Sequence, residues 1–227
     1  MDRPALRIAL VGVGAIGSAV LPLLRDPRIS AVRLIDGDTV EQDNLPRQLL
    51  FHAADVGALK VAVAASRIAH LNPAPTMHAV PCFLDATNCA ALLEDADVVL
   101  DCCDDLHAKR LIATHCRQAG RYLINAAVHG MQLQVSTQLP GAAPFFTGRI
   151  GAEQAACAMQ HVPLPVIAVA AALMVQRLHG MAKEDDLRAE MLDVVDLDEG
   201  RWMRLQHPRD EVRVEPVEAG MRKVPDA

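Results

Sequence analysis

Aromatic residues are scarce, only 3% of 227 positions. A core must therefore be assembled from Ala, Val, Leu and Ile, a composition that suits a parallel sheet covered by helices. Basic charge is not in surplus either: the formal net charge is -6 and the isoelectric point is near 5.8. That balance excludes the broad basic face of a nucleic-acid binder, while leaving room for a local cationic site. None of the six cysteines (Cys82, Cys89, Cys102, Cys103, Cys116, Cys157) forms a C-x-x-C pair, which excludes a zinc knuckle and a thioredoxin-type motif. Several lie in apolar runs, where buried free thiols are expected. The longest apolar run, Val162 to Val175, is interrupted by Pro163 and Pro165 and falls short of the about 20 residues of a membrane span. No internal repeat or low-complexity stretch is present, and the opening Met1-Asp2-Arg3-Pro4 lacks signal-peptide character. The expectation is a cytoplasmic protein with reduced thiols, away from membranes.

Hydrophobic residues, at 52%, are ample for one large α/β unit, a class that reaches about 250 residues. Leu6–Val11 is apolar apart from Arg7 and runs into glycine, so it reads as a buried strand feeding a helix from Ala15 to Arg25. Ala31–Ile35, Met77–Pro81, Asp97–Leu100 and Tyr122–Asn125 read as further strands. Val56–Leu71, Thr87–Leu93 and Leu106–Ala119 read as helices, and Asp38–Leu50 as an irregular polar loop. Strands alternating with helices predict right-handed crossovers and a Rossmann-like, doubly wound, mainly parallel sheet. Met131–Leu139 alternates as an antiparallel strand would. Beyond it, Gly141–Ala156 is loop-like, and Val166–Leu178 is a helix apolar all round, destined for a core or an oligomer interface. Short β-like runs follow from Met191. The expected division is a Rossmann-like core over 1–139, a crossover loop and apolar helix over 140–190, and an antiparallel β-rich tail over 191–227, frayed at its end.

The turn Gly12-Val13-Gly14-Ala15-Ile16-Gly17 opens a helix directly after a strand. Gly12 permits the tight turn, Gly14 lets backbone approach a phosphate, and Gly17 permits close helix–strand packing. The helix N-terminus offers unpaired N–H groups to an anion. The glycines alone do not name the nucleotide. Asp36, about 20 residues further on at the end of the second strand, stands where a ribose ligand would; an Asx turn with Gly37 is the alternative. Asp38 suits either the site or a cap. Asn44, Arg47 and Lys60 then separate two chemistries. Attack at the α-phosphorus of a triphosphate adds charge to equatorial oxygens, which positioned Arg and Lys stabilise more in the transition state than in the ground state. A nicotinamide cofactor needs no such pair. Asp104, past the Asp97–Leu100 strand on the carboxyl edge, is a candidate magnesium ligand. Of Asp101, Asp104 and Asp105, at least one is expected to cap the following helix.

Together, G-V-G-A-I-G-S, D-G-D-T-V-E-Q-D-N-L-P-R-Q, Lys60, D-C-C-D-D and the run from Cys157 to Val166 resemble the ThiF/MoeB/HesA family, bacterial relatives of ubiquitin-activating enzymes. The likeness extends from Leu6 to Gly180. It implies a homodimeric enzyme that uses ATP and Mg²⁺ to adenylate the C-terminal carboxylate of a ubiquitin-like sulfur carrier (ThiS- or MoaD-like), releasing pyrophosphate. By position it places Gly14 and Ala15 against the nucleotide, Asp36 against the ribose, Asn44, Arg47 and Lys60 at the phosphates, and Asp104 on magnesium, with Gly12, Gly17, Asp38 and Gln48 as further nucleotide-binding candidates. Cys157 takes the place of a cysteine that forms a covalent adduct in some members; a small packing residue is the equal alternative. The sequence departs from the family in several places. Two C-x-x-C pairs would fall near Pro144–Gly148 and His207–Val212, where no cysteine stands, so no zinc is expected. Asp105 replaces the usual Asn, and Lys109 or Arg110 the usual Arg. The arginine that typical members supply across the dimer has only Arg3 and Arg7 as counterparts, and Arg7 lies in the first strand.

The leading expectation is an adenylyltransferase acting on a carrier carboxylate. Adenylation of a small-molecule or peptide carboxylate, or a catalytically altered nucleotide-binding partner subunit, are the alternatives. Arg47 and Lys60 argue against a nicotinamide dehydrogenase, and none of the nine histidines stands out at metal-ligand spacing.

Overall fold

The alternation of small and branched apolar residues in Leu6–Val11 (β1) is that of a strand buried on both faces. Successive side chains point to opposite sides, so Ile8 and Leu10 pack into one apolar layer while Ala9 and Val11 pack into the other. In the computed structural model, which describes residues 5–72, 74–142, 162–180, 191–206 and 214–216, β1 lies inside a single sheet. The other strands of the sheet are β2 (Ile29–Ile35), β3 (Thr76–Val80), β4 (Val98–Asp101), β5 (Tyr122–His129), β6 (Gln132–Gln138), β7 (Met191–Asp196), β8 (Arg201–Gln206) and β9 (Val214–Pro216), and β1 itself pairs with β2 and β4. The strand order among the described residues is β3-β2-β1-β4-β5-β6-β7-β8-β9. From β3 to β5 all pairings are parallel; from β5 onward all are antiparallel. The expected parallel sheet with an antiparallel C-terminal extension is what the chain forms.

Helices α1 (Ala15–Val20), α2 (Lys60–Leu71) and α5 (Leu164–Gly180) cover one face, and α3 (Cys89–Leu93) and α4 (Leu106–Ala119) the other. Three helices are shorter than the sequence predicts; α3 starts two residues late, at Cys89 rather than Thr87, and two differ more. The first ends at Val20 and tightens into a 3₁₀ turn over Leu21–Leu23, where Pro22 has no N–H to continue the α ladder. The second begins at Lys60 rather than Val56. Backbone pairing with the loop after β2 pulls the intervening residues straight: Val40 N–H donates to Ala58 O at 2.8 Å, Gly57 N–H to Val40 O at 2.9 Å, and Lys60 N–H to Asp38 O at 3.0 Å.

Helix α5 buries Val166, Ile167, Ala170, Ala171, Leu173, Met174, Val175, Arg177 and Leu178, against α1, β5 and β6. It is thus covered within the chain, and its apolar character does not require the second copy that the sequence invited. An ionic hub ties it to the tail: Asp193 on β7, fully buried, accepts from Arg177 of α5 and from Trp202 Nε1 at 3.0 Å and Arg204 Nε at 2.8 Å on β8. Burial alone would push the Asp193 carboxyl up, but these donors outweigh it and hold it below the usual carboxylate range. Cys89, Cys102 and Cys116 are buried free thiols, as expected, and burial pushes Cys116 up to about 12. No helix among the described residues is long and apolar enough to cross a membrane. Cys157 and the two expected zinc-pair positions lie outside the described residues.

Candidate functional site

In a doubly wound sheet, ligands bind outside the carboxyl ends of the parallel strands, and there a cavity of about 1050 Å³ opens. Its lining brings together Gly12, Gly14, Ala15, Asp36, Asp38, Asn44, Arg47, Gln48, Lys60 and Asp104. The guanidinium and ammonium expected to serve one ligand do face one cavity. Gly17 alone of the described site candidates is not in the lining. A Cβ there would stand 2.0 Å from the Gly12 carbonyl oxygen, so this glycine works by packing helix against turn.

Gly12 has φ +88°, and a Cβ on it would meet the backbone of Cys102 and Cys103 at 2.8–2.9 Å; the turn is pressed against the chain leaving β4. At Gly14 the nearest atom to an added Cβ is Gln48 Nε2, at 3.8 Å. Its missing side chain therefore leaves backbone open to the cavity.

Asp36 follows β2 and is nearly buried. Its Oδ2 accepts the Val13 N–H at 2.6 Å and its Oδ1 the Asp38 N–H at 2.8 Å. One carboxylate thus locks the glycine turn to the end of β2 and braces its own loop. Burial pushes its pKa above the usual carboxylate range, and the two amide donors offset only part of that. Lys60 opens α2, is 4% exposed, and holds the half-exposed Asp38 through Nζ–Oδ2 at 2.9 Å. Arg47 is half-buried; it donates to the Asp43 carbonyl at 3.2 Å and to Asn44 Oδ1, while Asn44 Nδ2 donates to Glu41 at 2.9 Å. These bonds hold the cation over the loop without neutralising it. Gln48 is buried with its Oε1 lacking a hydrogen-bond partner.

The three acids at and beyond the end of β4 divide by role. Asp105 caps α4, accepting from His107 N–H at 3.2 Å and Ala108 N–H at 2.8 Å. Asp101 is buried and receives Lys109 Nζ at 3.1 Å on both oxygens; the same ammonium donates to Ala126 O at 3.0 Å. Burial opposes a charge on Lys109, but Asp101 outweighs it and raises the pKa. Cys103, half-buried beside them, donates its thiol to Asp101 at 2.9 Å, and burial followed by the neighbouring carboxylate pushes that thiol well up. Asp104 remains, exposed on the cavity, with no hydrogen bond or ion pair to its carboxylate among the described residues.

Sequence reasoning missed two stretches of the lining. One is Cys82, Phe83 and Leu84 after β3; the other is His129, Gln132, Gln134, Asp196 and Asp198 on the antiparallel extension. A Phe directly after a strand, in a chain so poor in aromatics, was a usable signal for the first. The second had none in the local pattern, because Gln132 and Asp196 meet only through β6–β7 pairing, with Gln132 Nε2 donating to Asp196 at 2.9 Å.

Known proteins resemble this chain to different extents. The molybdopterin-synthase adenylyltransferase of Escherichia coli K12 is 33% identical over 130 residues, 57% of this chain and 52% of that protein. The SAMP-activating enzyme E1 of Haloferax volcanii is 30% identical over 134 residues, 59% of this chain and 50% of that protein. The adenylyltransferase and sulfurtransferase uba4 of Aspergillus fumigatus is 34% identical over 123 residues, 54% of this chain and 25% of that protein. The chain thus spans a quarter to a half of the length of these relatives. Among solved structures, E. coli MccB with MccA aligns at TM-score 0.76 and 21% identity, covering 88% of this chain and 63% of that one. E. coli MccB with ATP aligns at 0.73 and 22%, with the same coverage; both are likenesses of fold. The profile of the ThiF family matches residues 4–212, nearly the whole chain and every element that builds the cavity, and it is to this family that the chain belongs.

Proposed function

We propose that the chain is an ATP-dependent adenylyltransferase that activates the C-terminal carboxylate of a ubiquitin-like carrier protein. The observation that carries this reading is the convergence on one cavity at the carboxyl edge of the sheet of Asp36, Arg47, Lys60 and an Asp104 whose carboxylate has no partner among the described residues. The names of the relatives, adenylyltransferases and a SAMP-activating enzyme among them, point the same way.

Asp36 would accept the ribose hydroxyls, and the N-terminus of α1 with Gly14 would receive the phosphates. Lys60 and Arg47 would bind the triphosphate and stabilise charge gathering on the α-phosphoryl oxygens. Asp104 fits magnesium, which takes one or two protein carboxylates and completes its shell with water and phosphate oxygens; when bound, the ion neutralises triphosphate charge. The acceptor carboxylate, with a pKa near 3.5 and so ionised at neutral pH, forms an oxygen–phosphorus bond. The bond from the α-phosphorus to the bridging oxygen breaks, and pyrophosphate departs with that electron pair. No proton moves, so no general base is required. Positioning and charge stabilisation supply the catalysis. The acceptor would enter over the antiparallel extension, past Gln132, Gln134 and Asp198. Pairing of two copies and the covalent role of Cys157 belong to the same proposal as implications of the family.

ATP–pyrophosphate exchange tests it. Exchange is expected only when a carrier with a free terminal carboxylate is added. Exchange supported equally by a small carboxylate would replace the carrier with that substrate, and ATP binding without exchange under any acceptor would reduce the chain to a nucleotide-binding subunit.

A further inference from the structure

Phe83 is the most exposed large hydrophobic side chain among the described residues, at 66%. The chain has four phenylalanines, and Phe51 is buried. An open aromatic ring costs hydration free energy, so its position calls for a physical reason. Phe83 is not loosely placed. A Cβ on Gly37 would lie 2.7 Å from two of its ring carbons and 3.0 Å from a third. The ring therefore rests on the one backbone position in the Asp36–Asp38 stretch without a side chain. Its own backbone is braced: Asn88 Nδ2 donates to the Phe83 carbonyl at 2.9 Å, and Asn88 Oδ1 accepts from Asp85 N–H at 2.9 Å. The next residue, Leu84, is buried in the layer under α3 and α4. One side of the ring is thus backed by Gly37, and the residue lines the cavity.

The cavity runs along the sheet edge in strand order: Cys82–Leu84 after β3, Asp36 and Asp38 after β2, the glycine turn after β1, Cys102–Asp105 after β4, and Ala126–Gln134 around the β5–β6 turn. With phosphates at the N-terminus of α1 and ribose at Asp36, the base must continue in the direction away from the phosphates, which is the β3 side. Phe83 stands there.

We propose that Phe83 is the stacking platform for the purine base, held flat by Gly37 and preorganised before the nucleotide arrives. This rests on the nucleotide reading given above. Stacking is tolerant of base identity because every base has a π face, so Phe83 sets affinity for the nucleoside part and leaves the phosphate grip to Arg47 and Lys60.

Calorimetric titration of the full chain with ATP and with inorganic tripolyphosphate separates these contributions. Phe83→Ala should weaken ATP binding about tenfold, the scale of removing one base–aromatic stack, and leave tripolyphosphate binding unchanged. Phe83→Trp should restore ATP affinity and show indole emission quenched by ATP beyond the change in the parent chain. Equal ATP affinity in Phe83→Ala, or Phe83→Leu indistinguishable from the parent, would overturn the stacking role while leaving the nucleotide reading intact. A parent chain that binds no ATP would overturn both.

Discussion

The Lys60 ammonium lies 2.9 Å from the Asp38 carboxylate, and the two are brought together by the same strip of backbone pairing that delays the start of α2. The lysine is 4% exposed, with a single carboxylate partner among the described residues. A buried cation with one half-exposed counter-ion is well placed to trade that partner for a phosphate, at little reorganisation.

Lys60→Met should therefore lower the rate of pyrophosphate exchange by about 10²- to 10³-fold, the scale of deleting one preorganised charge-stabilising donor. Asp38→Asn should cost far less, because its backbone N–H and C=O still brace Asp36 and Lys60. Initial exchange rates at saturating ATP decide this. Lys60→Met exchanging like the parent would remove the lysine from the chemistry.

Asp36 gives a pH signature. Its folded pKa is raised by burial, so its contribution to stability is complete below the ordinary carboxylate value of about 3.9 and is lost as pH rises through the folded value. Ribose recognition has the opposite requirement, since ionised oxygens accept hydroxyl donors. The preference for ATP over 2′,3′-dideoxy-ATP should shrink on acidification, starting above the ordinary carboxylate range because the folded pKa is raised. Taking the ratio of the two affinities cancels titration of the phosphates themselves. A ratio independent of pH down to 4, on the scale of about one unit around that carboxylate value, would contradict the assignment. Asp36→Asn is a poorer probe, because an amide nitrogen would face either the Val13 or the Asp38 N–H.

Much of the parallel half was legible because its signals are local. Apolar strands run into glycine or aspartate, and helix periodicity resumes a few residues later, so β1, β4 and α4 fall where sequence spacing puts them. The start of α2 was not, since Val56 and Leu59 continue the helical spacing while Gly57 and Lys60 are claimed by hydrogen bonds to a loop some way back in the chain. The cation cluster was readable as residue types at element ends. Asp104 was singled out by its place past the strand; that Asp101 is taken up by Lys109, one turn into α4 and reaching back, was not readable. Phe83 had drawn no reading from the sequence, and the polar lining on β6 and β7 is assembled by antiparallel pairing that leaves no short-range trace.

The glycine turn offers a paired test. Gly17→Ala would drive a Cβ to 2.0 Å from the Gly12 carbonyl oxygen, a backbone atom that cannot swing aside. It should destabilise the chain by about 3 kcal/mol or more, in the range of severe overpacking, seen as a lowered urea midpoint. Gly14→Ala has only the far end of Gln48 within 3.8 Å and should fold like the parent, yet bind ATP less tightly because the new methyl stands between backbone and phosphate. If Gly14→Ala kept full ATP affinity, the phosphates would not lie against this turn.

The Lys109–Asp101 pair separates support from contact. Lys109 spends its donors on both Asp101 oxygens and on Ala126 O, tying the end of β4 to β5 beneath the loop that carries Asp104. Both side chains are buried, so Lys109→Met strands a carboxylate and should cost about 3–5 kcal/mol. Adding Asp101→Asn removes the stranded charge while keeping an acceptor for the Cys103 N–H, which sits 3.1 Å away, and should recover most of that loss. Because the folded Lys109 pKa is raised, the stabilisation is complete below the ordinary lysine value of about 10.4 and disappears as pH climbs through the folded value. Urea titrations of the single and double variants at neutral and alkaline pH measure both effects. A double variant as unstable as Lys109→Met alone would mean that the lysine acts through packing of its stem and not through its charge.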